Sequence, residues 1–126
     1  MPGVHSCLEQ AMAIPGAIGA SLVDCTTGLA VASTGAAPNS DHEAAAAGTA
    51  EVVQAASNRA LFTSAVPHDL LEDLIITTAG GYHLLRPVLT DFDSRLVLYV
   101  WLDRAIGNLA VARRRMQKLA DELVTT

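Results

Sequence analysis

Positive charge is scarce in this chain. Lysine and arginine number 8 against 13 aspartates and glutamates, which leaves a formal net charge of -5. Nucleic acid is gripped through clustered cations on phosphates, so no nucleic-acid partner is expected. The basic cluster present is Arg113-Arg114-Arg115 with Lys118. It lies in the second half of a helical pattern, where cations suit the helix dipole. Cysteine is nearly missing as well. Cys7 and Cys25 stand far apart and form neither a zinc pattern nor a redox pair. The expectation is a reduced, cytoplasmic protein with two inert thiols. Aromatic residues make up 4%, and Tyr82, Tyr99 and Trp101 fall in strand patterns, so a base-stacking platform is not supported. No apolar run reaches the roughly eighteen residues of a membrane span. The first sixteen residues hold no Lys or Arg, so a signal peptide's basic start is missing. Met1-Pro2-Gly3 is not a myristoylation start.

Catalytic patterns are equally thin. His5, His42, His68 and His83 have no second ligand at metal-site spacing, and no HExxH occurs. His68-Asp69 could form a catalytic pair, but adjacent side chains point apart. Gly80-Gly81 lacks the following helix, lysine and hydroxyl of a phosphate loop. Gly16 to Gly19 follow no strand and are no dinucleotide fingerprint. Asp24 could bind a cation, although an Asx-type turn is the plainer account. Ser21 and Ser33 lie within strand patterns, without a nucleophile elbow. No catalytic residue, metal site or cofactor is assigned.

What is there is small and apolar. The 126 residues suffice for one domain, 1–126, with a real core. Hydrophobic residues reach 51% and charged residues only 17%, below the roughly one quarter usual for soluble domains. Ser6-Cys7-Leu8-Glu9 reads as a capping box opening a first helix over 6–14, stopped by Pro15-Gly16. Strands follow at 18–23 and 29–34 around an Asp24…Gly28 turn. A linker leads to a long helix over about 40–62, whose start reads as a capping box of Ser40 and Glu43. A connection containing Pro67 and His68 leads to a strand at 71–78. Gly80-Gly81 signals a turn, then a strand runs over 82–88. Residues 90–94 turn again. Leu96 to Leu102 is apolar on both sides of a strand and therefore belongs at the centre of a sheet. The terminal helix covers about 105–123, with Leu109, Ala112, Met116, Leu119 and Leu123 as one stripe. The order is α-β-β-α-β-β-β-α. The fold class is α+β, an α/β/α sandwich. It has a five-stranded antiparallel sheet with the long helix on one face and two helices on the other.

Two features exceed what one protomer needs. The apolar arc of the long helix is wider than the ~100° of a single packing face. The strand containing Ile75 and Ile76 is apolar on both faces and, if it lies at an edge, invites another chain. A dimer pairing this strand and this helix with their mates answers both. The expected contact residues are Ala46, Ala50, Val53, Leu74, Ile75 and Ile76. Glu51, Gln54 and Asn58 form a polar stripe on the long helix. With Arg114 and Lys118 of the last helix they are the candidate surface for a further partner.

The segments also carry a family resemblance. Ile14-Pro15-Gly16, Ala20-Ser21-Leu22-Val23-Asp24, Thr27-Gly28 and Leu29-Ala30-Val31-Ala32-Ser33 resemble the opening of the roadblock domain, the dynein light chain roadblock family. The Ala-rich helix from near Asp41 resembles the family's second helix. Leu74-Ile75-Ile76-Thr77 and Gly80-Gly81-Tyr82-His83-Leu84-Leu85-Arg86-Pro87-Val88 resemble its third and fourth strands. Leu98-Tyr99-Val100-Trp101-Leu102-Asp103-Arg104 with Asn108-Leu109-Ala110-Val111-Ala112-Arg113 is similar to the end of bacterial members. The resemblance spans nearly the whole chain. It implies a non-enzymatic domain that homodimerises through its second helix and third strand into a continuous ten-stranded sheet. It further implies a small Ras-like GTPase as partner, which the domain regulates or scaffolds, and it brings no catalytic residue and no cofactor. Rival readings are a structural scaffold or light-chain-like subunit with no nucleotide-dependent partner, a small-molecule sensor with a pocket between sheet and helix, and a small hydrolase using His68 or His83.

Overall fold

The computed structural model describes residues 2–57, 62–64, 66, 69–88 and 95–125. Its elements are α1 (Pro2–Met12), β1 (Ala17–Asp24), β2 (Leu29–Gly35), a 3-10 turn (Pro38–Ser40), α2 (His42–Ser57), β3 (Leu74–Thr78), β4 (Gly81–Val88), β5 (Leu96–Leu102) and α3 (Leu109–Thr125). The five strands form one sheet in the order β2-β1-β5-β4-β3. Every neighbouring pair is antiparallel. This is the α+β sandwich and the element order expected from the sequence.

The all-apolar strand sits in the middle, between β1 and β4. Its residues alternate between two cores. Leu98, Val100 and Leu102 join Ala20, Leu22, Leu84 and Val88 under α1 and α3, where Leu8, Ala11, Ala112, Met116 and Leu119 close the layer. Val97 and Tyr99 join Val23, Cys25 and Leu85 under α2. Leu84 and Leu85 are neighbours in sequence and belong to opposite cores, as the two-residue period of a strand requires. The stripe read in the last helix faces the sheet, with Leu109 and Leu123 half-buried at its ends.

Several element ends differ from expectation. The first helix starts at Pro2, so Ser6 is inside it and accepts from the Gln10 side chain instead of capping. The edge strand begins at Leu74 and not at residue 71. The turn of its hairpin is Ala79-Gly80, and Gly81 already belongs to β4. The last helix begins at Leu109, where Asn108 Oδ1 accepts from the Val111 N–H as a cap. The long helix starts at His42, and Phe62 lies outside it. Its cap is Asp41, whose Oδ1 accepts from the Ala44 N–H at 3.0 Å. Asn39 and Ser40 sit at φ 55° and 58°. That left-handed pair turns the chain before the helix and leaves Ser40 ahead of the cap position. The turn expected at 90–94 lies outside the described residues, as do Pro67 and His68 in the connection before the edge strand.

Candidate functional site

α2 lies on one face of the sheet and divides into two sides. Ala46, Thr49, Ala50, Val53 and Ala56 are buried. Ala46, Ala50 and Val53 pack against Val23, Cys25, Leu85, Val97 and Tyr99 of the chain's own sheet. These three side chains were expected to meet a second copy; within the single protomer each is 6% exposed or less. The outward side is Ala44, Ala47, Gly48, Glu51, Val52 and Ala55, all exposed. Only Glu51 among these six is charged. A helix face of that composition is unusual against water, so the wide apolar arc read from the sequence is real, but its free half is centred about half a turn away from Ala46 and Ala50.

The polar stripe also changes. Glu51 is exposed. Gln54 is half-buried, and its amide donates to the Cys25 carbonyl at 2.6 Å, which ties the helix to the end of β1. Gln54 is therefore a tether in this protomer and not a free polar group. Asn58 lies outside the described residues.

β3 is an edge strand with β4 as its one neighbour in the sheet. Leu74 is half-buried against the α2-side core. Ile75 and Ile76 stay 37% and 38% exposed. Neither proline, lysine nor any other charge occurs between Leu74 and Thr78, the devices that normally blunt such an edge. Val52 on the outer side of α2 is 39% exposed. The segment leading into β3 exposes Phe62, Val66 and Leu70 as well.

A row of rings lies beside this edge, which sequence reasoning did not assemble. His83 is cross-strand partner to Ile76 on one side and Trp101 on the other. Its ring stacks at 6.0 Å from Trp101 and 5.9 Å from Tyr99. The His83 Nδ1 lies 2.7 Å from the Tyr99 hydroxyl. Burial pushes the Tyr99 hydroxyl far above its ordinary range, so it keeps its proton and can donate to a neutral imidazole. Burial also holds His83 below its ordinary value, which favours that neutral form. The signal was the two-residue period of two strands, but it is readable only once their register is known.

The remaining candidates are dispersed. Arg114 and Lys118 are exposed on α3, in an open cleft shared with Gln117, Asp121 and Glu122. They stand on the helix layer opposite α2. Asp24 makes the expected Asx turn, accepting from the Thr26 N–H at 2.8 Å. His42 Nε2 is 3.0 Å from the Gly35 carbonyl. His68 lies outside the described residues. Among the described residues no three His, Cys, Asp or Glu gather to hold a metal ion. No helix among them is long and apolar enough to cross a membrane.

No protein-family model and no curated protein matches the sequence. Solved structures do. Myxococcus xanthus MglB superposes with a TM-score of 0.79 at 22% identity, over 98% of this chain and 86% of that one. An MglB with a tetrameric arrangement gives 0.76 at 17% identity, over 97% and 85%. The roadblock/LC7 domain from Streptomyces avermitilis gives 0.69 at 14% identity, over 96% and 91%. At such identities the likeness is one of fold, and the element order, the sheet and the placement of the helices agree with it: this chain has the roadblock/LC7 fold.

Proposed function

We propose that the chain is a non-enzymatic, cytoplasmic interaction module that works as a homodimer and binds and regulates a small Ras-like GTPase. The observation that carries the dimer is the unguarded edge of β3, and the apolar outer side of α2 agrees with it. Edge-to-edge pairing of two five-stranded sheets makes one sheet of ten strands, satisfies the free edge groups of β3 and covers Ile75 and Ile76. The outer side of α2 then supplies Ala47, Gly48, Val52 and Ala55 in place of Ala46, Ala50 and Val53. Small residues there let two helix backbones approach closely, and Val52 provides an apolar contact.

The GTPase is supported by the roadblock resemblance of the sequence and by the likeness in fold. Glu51 on α2, with Arg114 and Lys118 on α3, remain the polar candidates for that contact. Gln54 is already engaged. The test is capture from native lysate with the tagged chain, run in GDP and in a non-hydrolysable GTP analogue. Enrichment of a small GTPase in one nucleotide state supports the reading. Capture of the same proteins in both states overturns it in favour of a structural scaffold.

A further inference from the structure

Two arginines reach the edge strand from elements that are not its neighbours in the sheet. Immediately before β3, Asp73 accepts two hydrogen bonds from Arg113 of α3, from Nε at 2.6 Å and from Nη2 at 3.3 Å. Arg86 of β4 adds a second cation at 3.9 Å. At the far end, Arg104, just past β5, donates to the Thr78 carbonyl at 3.2 Å. Its guanidinium also lies 5.7 Å from the centre of the Tyr82 ring.

The hairpin turn is held in the same way. Trp101 Nε1 donates to the Gly80 carbonyl at 3.1 Å, and the Gly80 N–H donates to Thr78 Oγ1 at 3.2 Å. The indole is close enough that a Cβ on Gly81, which sits at φ +141°, would come within 2.8 Å of Nε1. Both ends of β3 are thus fastened by side chains from α3 and from the end of the central strand. Between them Ile75 and Ile76 stay exposed.

An exposed ion pair is usually worth little. This one differs in two respects. The Asp73 side chain is only 15% exposed, and the contact is two-pronged, which fixes direction as well as distance. A five-residue edge strand with one sheet neighbour is a segment expected to open locally. Any ordering left until a second copy arrives is subtracted from the affinity of that encounter.

We propose that Arg113 and Arg104 are positioning residues that hold β3 as an ordered free edge in the single protomer, so that a second copy meets a strand already extended. The second half of this proposal rests on the dimer reading above. The test uses the full chain and its Arg113→Gln, Arg104→Gln and Arg113→Lys variants. Hydrogen exchange is measured at a dilution where the chain is monomeric, and the dimer dissociation constant is measured beside it.

Each Gln variant is expected to speed exchange over residues 74–78 by about 10-fold, with β1 and β5 unchanged. The dissociation constant is expected to rise by a comparable factor of about 10. Arg113→Lys keeps the charge but loses the fork, and recovers part of both effects. Unchanged exchange over 74–78 in both Gln variants overturns the proposal. So does an equal increase across all strands, which would make the arginines general supports of the fold. A chain that stays monomeric at every concentration, yet shows the local increase, leaves the positioning role standing and removes the dimer reading instead.

Discussion

Ile75 and Ile76 are consecutive residues of the edge strand, stand on opposite faces of the sheet, and are exposed to nearly the same degree, 37% and 38%. Neither helix layer closes over them. On the α2 side Ile76 continues the row His83–Trp101 toward the free edge. A strand that is apolar above and below, with no charge along it, is a template for another strand. Replacing Ile75 by Lys places a charge where edge strands normally carry one. Because the side chain is already partly in water, the protomer is expected to lose no more than about 0.5 kcal/mol. Self-association is expected to weaken by about 10-fold or more, as for an apolar residue central to an interface. Equilibrium sedimentation of the variant beside the parent chain measures this.

The two sides of α2 are expected to answer differently to added bulk. Ala50 packs directly on the sheet, so Ala50→Leu overfills that layer and costs about 1–3 kcal/mol of stability. Gly48 faces outward, and a Cβ there meets nothing within 4 Å in the protomer. Gly48→Ala is therefore expected to stabilise the protomer by about 0.5–1 kcal/mol through helix propensity alone. Urea unfolding under dilute, monomeric conditions distinguishes the two.

The His83–Tyr99 contact gives a pH dependence with a definite sign. Burial holds the imidazole below its ordinary value of 6.5. The unfolded chain therefore takes up this proton before the folded one does. Stability is full above the unfolded value and declines as pH falls from there through the folded value. His83→Gln is expected to flatten the loss between about pH 7 and pH 5, where histidine alone among unperturbed side chains changes charge. The two proteins differ at this position alone, so the difference between their urea-midpoint profiles reports His83. Parallel profiles would contradict the account.

Both thiols are buried and free. Burial, reinforced by the Glu122 carboxylate, pushes the Cys7 thiol up to about 11. Cys25 is raised as well, by burial first and then by Asp24. The thiolate is the reactive form, so a thiol reagent at neutral pH is expected to label the native chain about 100-fold more slowly than the chain in denaturant. Labelling at equal rates would contradict the burial of both residues.

The sequence was most legible where hydrophobic contrast is strong. Leu96 to Leu102 has no polar side and is the central strand. The last helix has one apolar stripe, and that stripe meets the sheet. α2 shows the converse. Its apolar arc is so wide that a helical wheel identifies a surplus without saying which part faces the protomer's own sheet, and alanine gives too little contrast to decide. Hence Ala46, Ala50 and Val53, read as contacts for a second copy, are buried on the protomer's own sheet, while Val52 points out. Gln54 reads as polar and therefore exposed, yet it reaches a carbonyl 29 positions earlier in the chain. Such a contact depends on the docking of a helix on a strand, which no local pattern encodes. Ser40 failed as a cap for a backbone reason, since two residues in the left-handed region precede the helix and hand the role to Asp41.

The measurement that tests the central claim most directly is the mass of the untagged chain in solution, by sedimentation velocity over a concentration series. The account predicts the mass of two chains at high concentration, falling to that of one on dilution, with the Ile75→Lys variant dissociating at higher concentration than its parent. A mass of one chain throughout the series would contradict pairing through β3 and leave its exposed edge without an occupant.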